Sequence, residues 1–387
     1  MTFINSHEKI IEVLTRGVEQ VLPTKEGLAK LMSQHPITLY QGFDPSMPSL
    51  HLGNLVGVMK LRAFQKPGHK VIFLIGDFTG MIGDPSDKLT VRKKLSREEV
   101  LENSQSWMEQ TKNLLDFKGP NKVEVKYNSE WSDKMTFLDL IEITSNLTVQ
   151  QMIERDMFQK RLKNNEPIYL HEFLYPVAQG YDSVAMGVDL EIGGNDQVFN
   201  MLTGRTLMKA IKNKEKFVLA TKLLVDKEGN KAGKTAGNAL FLDAEPSTFF
   251  GGIMSFPDET ILPGFELLTE VDLAGLDEKI KKDPMGEKKH LAYEILKLIW
   301  SESDAESAKK HFEKTFQEKA PQYVQEITAG ITLAATIAPV VGSTSEAKRL
   351  IIQGAVDVAG KKNLDPTTKI NVGDNIKVGT KIFLKAK

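Results

Sequence analysis

The stretch YQGFDPSMPSLHLGN, residues 40 to 54, decides the fold. The run Ile37-Thr38-Leu39-Tyr40 that leads into it has the length and character of a short buried strand. Asp44-Pro45-Ser46-Met47-Pro48 then reads as a proline-punctuated turn, and a helix opens near His51. A second strand, Val71–Ile75, runs into the Gly- and Asp-rich loop GDFTGMIGDPS. Strands that empty into such loops and continue as helices define an open parallel α/β sheet. Ligands of such sheets lie at the carboxyl ends of the strands.

On the amino side, residues 1–35 read as helical, with amphipathic stretches from Lys9 to Val21 and from Gly27 to Met32. Residues 107–200 read as mostly helical, with strand candidates at Val123–Tyr127 and Asp189–Ile192. Helical periodicity continues over 245–325, clearest at His290–Trp300 and Ala305–Phe316. A last unit begins near Ile331. It holds a capped basic helix Ser345–Ile352, a strand Ala355–Ala359, a lysine turn at Lys361-Lys362, and strands near Ile376 and Ile382.

At 387 residues the chain is long enough for two or three domains. Its 41% hydrophobic and 26% charged residues are those of a soluble globular protein. No run has the length of a membrane-spanning helix, and the amino terminus carries charge too early for a signal peptide. The absence of cysteine excludes disulfides, a thiol nucleophile and thiolate metal sites. A cytoplasmic protein without a membrane partner is expected. From residue 345 onward nine basic residues face four acidic ones, so this tail carries +5 in a chain of net charge −1. Such asymmetry suits a module that touches RNA, and it suits a solvated lysine-rich terminus equally.

Five strings bear chemistry. His51 and Asn54 are one helical turn apart at a helix start, where backbone N–H groups favour an anion; the same string also serves as a cap. Gly53 leaves room for a flat base against the backbone. Lys231-Ala232-Gly233-Lys234-Thr235 sets two lysines in a Gly-rich stretch, either a solvated turn or mobile cations for a phosphate transition state. The loop after Val71–Ile75 offers Asp77, Thr79 and Asp84, as a turn or with Asp84 facing a ligand ammonium. Tyr175, Gln179 and Asp182 form one stripe of a helix without nearby Lys or Glu, which favours a lined pocket over a solvated face. Gly193-Gly194-Asn195-Asp196-Gln197 lies between a strand and a helix, a place for a ribose.

In their order along the chain the five strings resemble those of the bacterial tyrosyl-tRNA synthetase family, class I aminoacyl-tRNA synthetases, over essentially the whole chain. YQGFDPSMPSLHLGN is similar to the first family signature and KAGKT to the second; the tail from about residue 331 resembles a small RNA-binding module. The resemblance implies a Rossmann-like parallel-sheet catalytic domain over 1–240, with a connective insertion at about 115–185 and the lysine loop at 226–240. An α-helical anticodon-arm domain over 241–328 and a small α+β RNA-binding domain over 329–387 would follow. It further implies that Tyr40 and Asp182 hydrogen-bond the substrate phenol, and that Asp84, Tyr175 and Gln179 hold its ammonium, with Thr79 nearby. Gly42, Asp44, Gly53, Gly194, Asp196 and Gln197 would surround ATP, its ribose and the reacting carboxylate. Ser46, His51 and Asn54 would meet phosphates or ribose, joined by Lys231, Lys234 and Thr235.

Lys88 and Arg92 resemble positions facing the tRNA acceptor end, and Lys348, Arg349, Lys361 and Lys362 would serve the tail's RNA contact. The implied reaction joins L-tyrosine to ATP and then to tRNA(Tyr). Mg²⁺ would accompany the triphosphate, no protein metal site is implied, and the enzyme would be a homodimer meeting through 115–185. Three departures stand out. Asn54 replaces a histidine, Ala232 replaces a larger apolar residue ahead of Gly233-Lys234-Thr235, and Asp87 sits where glycine is common. A tryptophan-charging relative, a nucleotidyltransferase with the same helix signature and a non-catalytic RNA-binding relative are the competing readings.

Overall fold

The computed structural model describes residues 3–84, 95–225, 239–317, 325–379 and 382–387. They divide into two compact units, Met1–Ala305 and Glu306–Lys387. The first is built on a six-stranded sheet: β1 (Val18–Leu22), β2 (Thr38–Phe43), β3 (Lys70–Ile75), β4 (Glu124–Tyr127), β5 (Leu190–Gly194) and β6 (Phe217–Thr221). In space the order is β1-β6-β5-β2-β3-β4. All neighbours are parallel except β1, which runs antiparallel along β6. The fold class is the expected Rossmann-like one. Its strand order reverses between β2 and β5, and that is where an open α/β sheet binds its ligand.

The pairing at this junction is short. β2 and β5 share only the register pairs Leu39–Leu190 and Tyr40–Glu191. Beyond them β2 follows β3 up to Phe43–Ile75, while β5 follows β6 up to Gly194–Thr221. The two strands part at their carboxyl ends. Helix Leu52–Gln65 follows β2 and helix Leu170–Met186 precedes β5. Buried apolar side chains cover the sheet, among them Leu39, Phe73, Leu190, Ile192 and Leu219, each at most 2% exposed.

Helix Leu170–Met186 carries Pro176 in its interior and stops at Gly187, whose φ of +62° is left-handed. It crosses helix Val198–Lys212 at a pair of glycines. A Cβ on Gly180 would stand 3.0 Å from the Gly204 backbone nitrogen, and one on Gly204 would stand 2.6 Å from Lys216 Nζ. Small residues here bring the helices close enough to bury a lysine head between them.

Several elements depart from expectation. The segment read as helical over 1–35 is a helix His7–Thr15, the strand β1 and a helix Lys25–Gln34. Gly17, at φ +65°, ends the first helix, and Val18-Glu19-Gln20-Val21-Leu22 then finds a partner in β6. β6 itself was not anticipated, although Phe217–Thr221 is an uninterrupted buried run. The helix read at Ala305–Phe316 spans Glu302–Phe312 and relaxes into a π turn over Glu313–Gln317. After β6, helices Pro246–Met254, Ile261–Leu268, Leu276–Lys282 and Pro284–Ile299 follow in the first unit. Arg16 donates to the backbone oxygens of Phe265, Glu266, Thr269 and Val271, closing the end of the second of these.

The second unit holds a five-stranded sheet: β7 (Gln325–Ile327), β8 (Val356–Val358), β9 (Lys361–Lys362), β10 (Asn375–Val378) and β11 (Ile382–Ala386), in the order β7-β11-β10-β8-β9. Helices Leu333–Val341 and Thr344–Ile352 pack on it through Leu333, Ile337, Ala347 and Ile351, against Val356, Ile376 and Leu384. β7 precedes the expected start of this unit near Ile331. The turn expected at Lys361-Lys362 falls instead on Ala359 and Gly360, both at positive φ, and the lysines form β9. No helix among the described residues is long and apolar enough to cross a membrane.

His69 ties the start of β2 to the start of β3. Its Nδ1 accepts the Ile37 N–H at 3.2 Å, which requires a neutral ring, and burial lowers its pKa from 6.5 to about 4. Below pH 6.5 the unfolded chain takes up a proton that the folded chain refuses until about pH 4. Stability therefore falls as the solution is acidified through that window, by at most about 3 kcal/mol for this one group. Urea titrations of wild type and His69→Gln at pH 7 and pH 4.5 check this. The gap between the two proteins should narrow or reverse at the lower pH, and a gap independent of pH contradicts the assignment.

Candidate active site

Asp44 directly follows β2, and its carboxylate is held on both oxygens. Thr79 Oγ1 donates to Oδ1 at 2.6 Å and Tyr175 Oη donates to Oδ2 at 2.7 Å. Gly76 is required beneath this contact, since a Cβ there would lie 2.1 Å from Asp44 Oδ1. Asn128, just past β4, donates from Nδ2 to Thr79 Oγ1 at 3.0 Å and to Asp182 Oδ2 at 3.2 Å. Trp131 Nε1 donates to Asp182 Oδ1 at 2.8 Å. One hydrogen-bonded network thus joins the ends of β2, β3 and β4 to helix Leu170–Met186.

Tyr40 and Asp182 are buried, at 0% and 2% exposure. Tyr40 stands at the last position where β2 pairs with β5, and its hydroxyl meets Ser183 Oγ at 2.9 Å. Burial pushes the Asp182 carboxyl well above the usual carboxylate range, with Glu191 and Asp44 adding to the rise against its two N–H donors. Burial, together with the nearby Glu191 and Asp182 carboxylates, likewise raises the Tyr40 phenol. Both groups therefore sit in a dry, polar recess, where an unmatched ligand costs most.

The expected stripe on helix Leu170–Met186 is present but divided in its partners. Tyr175 reaches Asp44 and Asp182 reaches Asn128 and Trp131, while Gln179 Nε2 donates to Glu191 Oε1 at 3.0 Å. That bond fixes the Gln179 amide, and its Oε1 is buried with no hydrogen-bond partner among the described residues. A ligand donor would satisfy it. Across the mouth, Gln197 Nε2 donates to Asp84 Oδ2 at 2.7 Å, and Asn200 Nδ2 donates to Gln197 Oε1 at 2.9 Å. Gly194 is needed beside Asp196, whose Oδ1 lies 2.5 Å from where a Cβ would stand. Arg155 stacks 5.1 Å from the Phe199 ring centroid within the field of Asp84, Tyr175 and Asp196, and burial lowers its pKa.

His51 is the N-cap of helix Leu52–Gln65, and its string turns out to be a reciprocal cap. Asn54 N–H donates to His51 Nδ1 at 3.2 Å, and His51 N–H donates to Asn54 Oδ1 at 3.0 Å. Asn54 thus commits its amide oxygen to the cap, leaving its Nδ2 group as the one able to donate to a ligand. Gly53 has a nearer reason than a stacked base, because a Cβ there would stand 2.9 Å from His51 Cε1. Ser46 is exposed in the turn, with its N–H on Asp44 O at 2.7 Å, and Gly42 faces open space apart from Leu74.

Lys231, Lys234 and Thr235 lie outside the described residues, as do Lys88 and Arg92. The described chain on the carboxyl side of the lysine segment is placed, however. Leu52 N–H donates to Leu240 O and Leu242 N–H donates to Leu50 O, both at 2.8 Å, and Phe241 bridges to His51. On the other side, β6 delivers the chain to the carboxyl edge of the sheet next to β5. In the second unit Lys348, Arg349, Lys361 and Lys362 are exposed, with Arg349 held by Glu346 at 2.8 Å.

Sequence reasoning missed Asn128, Trp131, Arg155, Ser183, Glu191 and Lys216. Glu191 carried a usable signal, an acid inside the otherwise apolar strand Leu190–Gly194. The others gave none, because their partners are distant in sequence.

The chain belongs to the class I tRNA synthetases of the tryptophan and tyrosine type, whose family model matches residues 32–317. Among curated proteins, a tyrosine--tRNA ligase of Haemophilus ducreyi is 41% identical, over 98% of each chain. One of Idiomarina loihiensis is 44% identical, over 92% of each. Among solved structures, a C-terminally truncated mitochondrial tyrosyl-tRNA synthetase of Aspergillus nidulans superposes with a TM-score of 0.67 at 22% identity, covering 80% of this chain and 94% of that one. The tyrosyl-tRNA synthetase of Archaeoglobus fulgidus, solved with L-tyrosine, gives 0.61 at 20% identity, with 78% and 99% covered. At those identities the two structures speak for the fold.

The cap fixes the His51 tautomer. With Nδ1 accepting from the Asn54 N–H, the proton of the neutral ring sits on Nε2. Two-bond nitrogen–proton correlation spectra of the imidazole above pH 8 should show the Nε2-protonated form. A predominant Nδ1-protonated form contradicts the cap.

Proposed function

We propose that this chain is a cytoplasmic tyrosine--tRNA ligase that forms tyrosyl-adenylate and pyrophosphate from L-tyrosine and ATP, then passes the tyrosyl group to the 3′-terminal ribose of tRNA(Tyr). One observation supports this reading above the others. The floor of the crevice between β2 and β5 carries two buried oxygen groups, Tyr40 Oη and the Asp182 carboxyl, opposite a mouth lined by Asp44, Asp84 and Asp196. A ligand with a phenol at one end and an ammonium at the other satisfies both. The unpartnered Gln179 Oε1 and the Asp84–Gln197 pair are the sites for that ammonium.

The adenylate ribose then lies against Gly194 and Asp196, and the phosphates against the His51 end of helix Leu52–Gln65. There the helix N-terminus favours negative charge. The substrate carboxylate is ionised at neutral pH and needs no base to attack the α-phosphate. The protein's part is to hold the two reactants in line and to stabilise charge on the non-bridging oxygens. Lys231, Lys234 and Thr235 are the groups we assign to that charge. Mg²⁺ arrives on the triphosphate's own oxygens, as part of the nucleotide substrate.

We place tRNA on Lys88 and Arg92 at the acceptor end, on the helical segment 241–328 at the anticodon arm, and on Lys348, Arg349, Lys361 and Lys362 in residues 329–387. A homodimer is part of the same proposal. The insertion at 115–185 exposes Phe137 (78%), Leu138 (63%), Val149 (72%) and Leu170 (83%), more apolar surface than a lone subunit normally shows to water.

Pyrophosphate exchange across the twenty amino acids should respond to tyrosine and give phenylalanine and tryptophan little signal. Asp182→Ala should lower tyrosine-dependent exchange about ten- to a hundredfold, from loss of a buried hydrogen-bond partner that leaves the substrate's polar group unmatched in a dry recess. Exchange driven by tryptophan, or an Asp182→Ala enzyme as fast as wild type, overturns the assignment. For the dimer, Leu170→Asp should move the sedimentation coefficient from that of a pair to that of one 43.2 kDa chain. An unchanged coefficient places the interface elsewhere.

A further inference from the structure

Behind Tyr40 lies a buried ionic cluster that the reaction as proposed does not use. Lys216 and Glu191, 0% and 1% exposed, form an ion pair between the helices that cross at Gly180 and Gly204. All three ammonium protons of Lys216 have acceptors: Glu191 Oε2, Ser183 Oγ at 2.9 Å and the Met201 carbonyl at 3.0 Å. Glu191 receives Gln179 Nε2 on its other oxygen, and Ser183 Oγ reaches Glu191 Oε2 at 3.3 Å. The fourth member is Tyr40, whose hydroxyl meets Ser183 Oγ at 2.9 Å. Because Tyr40 and Glu191 are register partners on adjacent parallel strands, both side chains leave the same face and meet Ser183 from one side.

A phenolic O–H lies in the plane of its ring and has two orientations there. Whichever hydroxyl donates, the bond to Ser183 selects one of them, so the side of Tyr40 Oη facing the crevice has a fixed hydrogen-bonding sense. Ser183 is itself held by a charged acceptor and a charged donor, and charge-assisted bonds are the strong ones. A buried pair of charges is a poor source of stability. Its placement behind a tyrosine at the floor of the crevice gives it a purpose in selection.

We infer that Ser183, clamped by the Lys216–Glu191 pair, is a positioning residue that orients the Tyr40 hydroxyl and so sets the preference for a phenolic amino acid over its bare-ring analogue. The inference rests on the tyrosine reading above and deepens it. Ser183 is fully buried, at 0% exposure, on the far side of the Tyr40 hydroxyl bond. It acts through Tyr40, and Gly204 is glycine because the Lys216 head occupies the space of its side chain.

The test compares pyrophosphate exchange with tyrosine and with phenylalanine in wild type, Ser183→Ala, Tyr40→Phe and the double variant. Ser183→Ala leaves the ion pair intact and adds no bulk, so it should fold; its thermal midpoint is recorded alongside. Expected is a drop of about tenfold in kcat/KM for tyrosine, the worth of about one oriented hydrogen bond. The phenylalanine value should be unchanged, and Ser183→Ala should have no further effect in the Tyr40→Phe background. Equal losses with both amino acids, an unchanged ratio, or full additivity in the double variant overturns the inference and leaves the tyrosine reading standing. A wild type that does not respond to tyrosine overturns both. Should Ser183→Ala unfold, Ser183→Cys is put through the same comparison, with the same outcomes deciding.

Discussion

Two register pairs between β2 and β5 hold the centre of this molecule together, and everything functional follows from there being only two. Parallel strands that stayed paired to their ends would leave a closed edge. Here β2 is drawn along β3 and β5 along β6, so the sheet opens where its strand order reverses. The crevice has a hydrogen-bonded floor, at Tyr40 and Glu191, and carboxylate-bearing walls, at Asp44 and Asp196. A general property of doubly wound sheets thus becomes a specific cleft through two strand residues and two that follow the strand ends.

The cleft's polar groups are held by one another. Asp44 is pinned by Thr79 and Tyr175, Asp182 by Asn128 and Trp131, and Tyr40 by Ser183. Such networks are stable only when most members are satisfied, and they make an imperfect ligand expensive. The glycines at 76, 194 and 204 are the steric counterpart: each stands where a Cβ would collide with a working side chain at 2.1 to 2.6 Å. Placement, with charge already arranged, is what a reaction with an ionised nucleophile requires of its catalyst.

Local patterns made much of this legible before any coordinates. The strand–turn–helix at 37–54 and the loop after β3 announced a parallel sheet with ligand-binding ends, and the stripe Tyr175-Gln179-Asp182 announced a lined helix face. The strands β1 and β6 escaped because one looked amphipathic at helical spacing and the other was a short apolar run beside a stretch read for its lysines. His51 and Asn54 were legible as a pair, but their mutual capping was one of two open alternatives until their hydrogen bonds were seen. The Ser183–Glu191–Lys216 cluster was illegible for a physical reason. Its members sit on a helix, a strand and a strand approach 33 residues apart at most, and only the Gly180–Gly204 crossing brings them together.

The central claim is that the parting of β2 from β5 receives the aminoacyl-adenylate. The most direct measurement is a crystal structure of the protein with a non-hydrolysable tyrosyl-adenylate analogue. The account predicts its phenol between Tyr40 and Asp182, its ammonium at Gln179 and Asp84, and its ribose on Gly194 and Asp196. An analogue bound in the charged cavity between Arg16, Lys60 and Glu270, or with its ring reversed in the cleft, would contradict it.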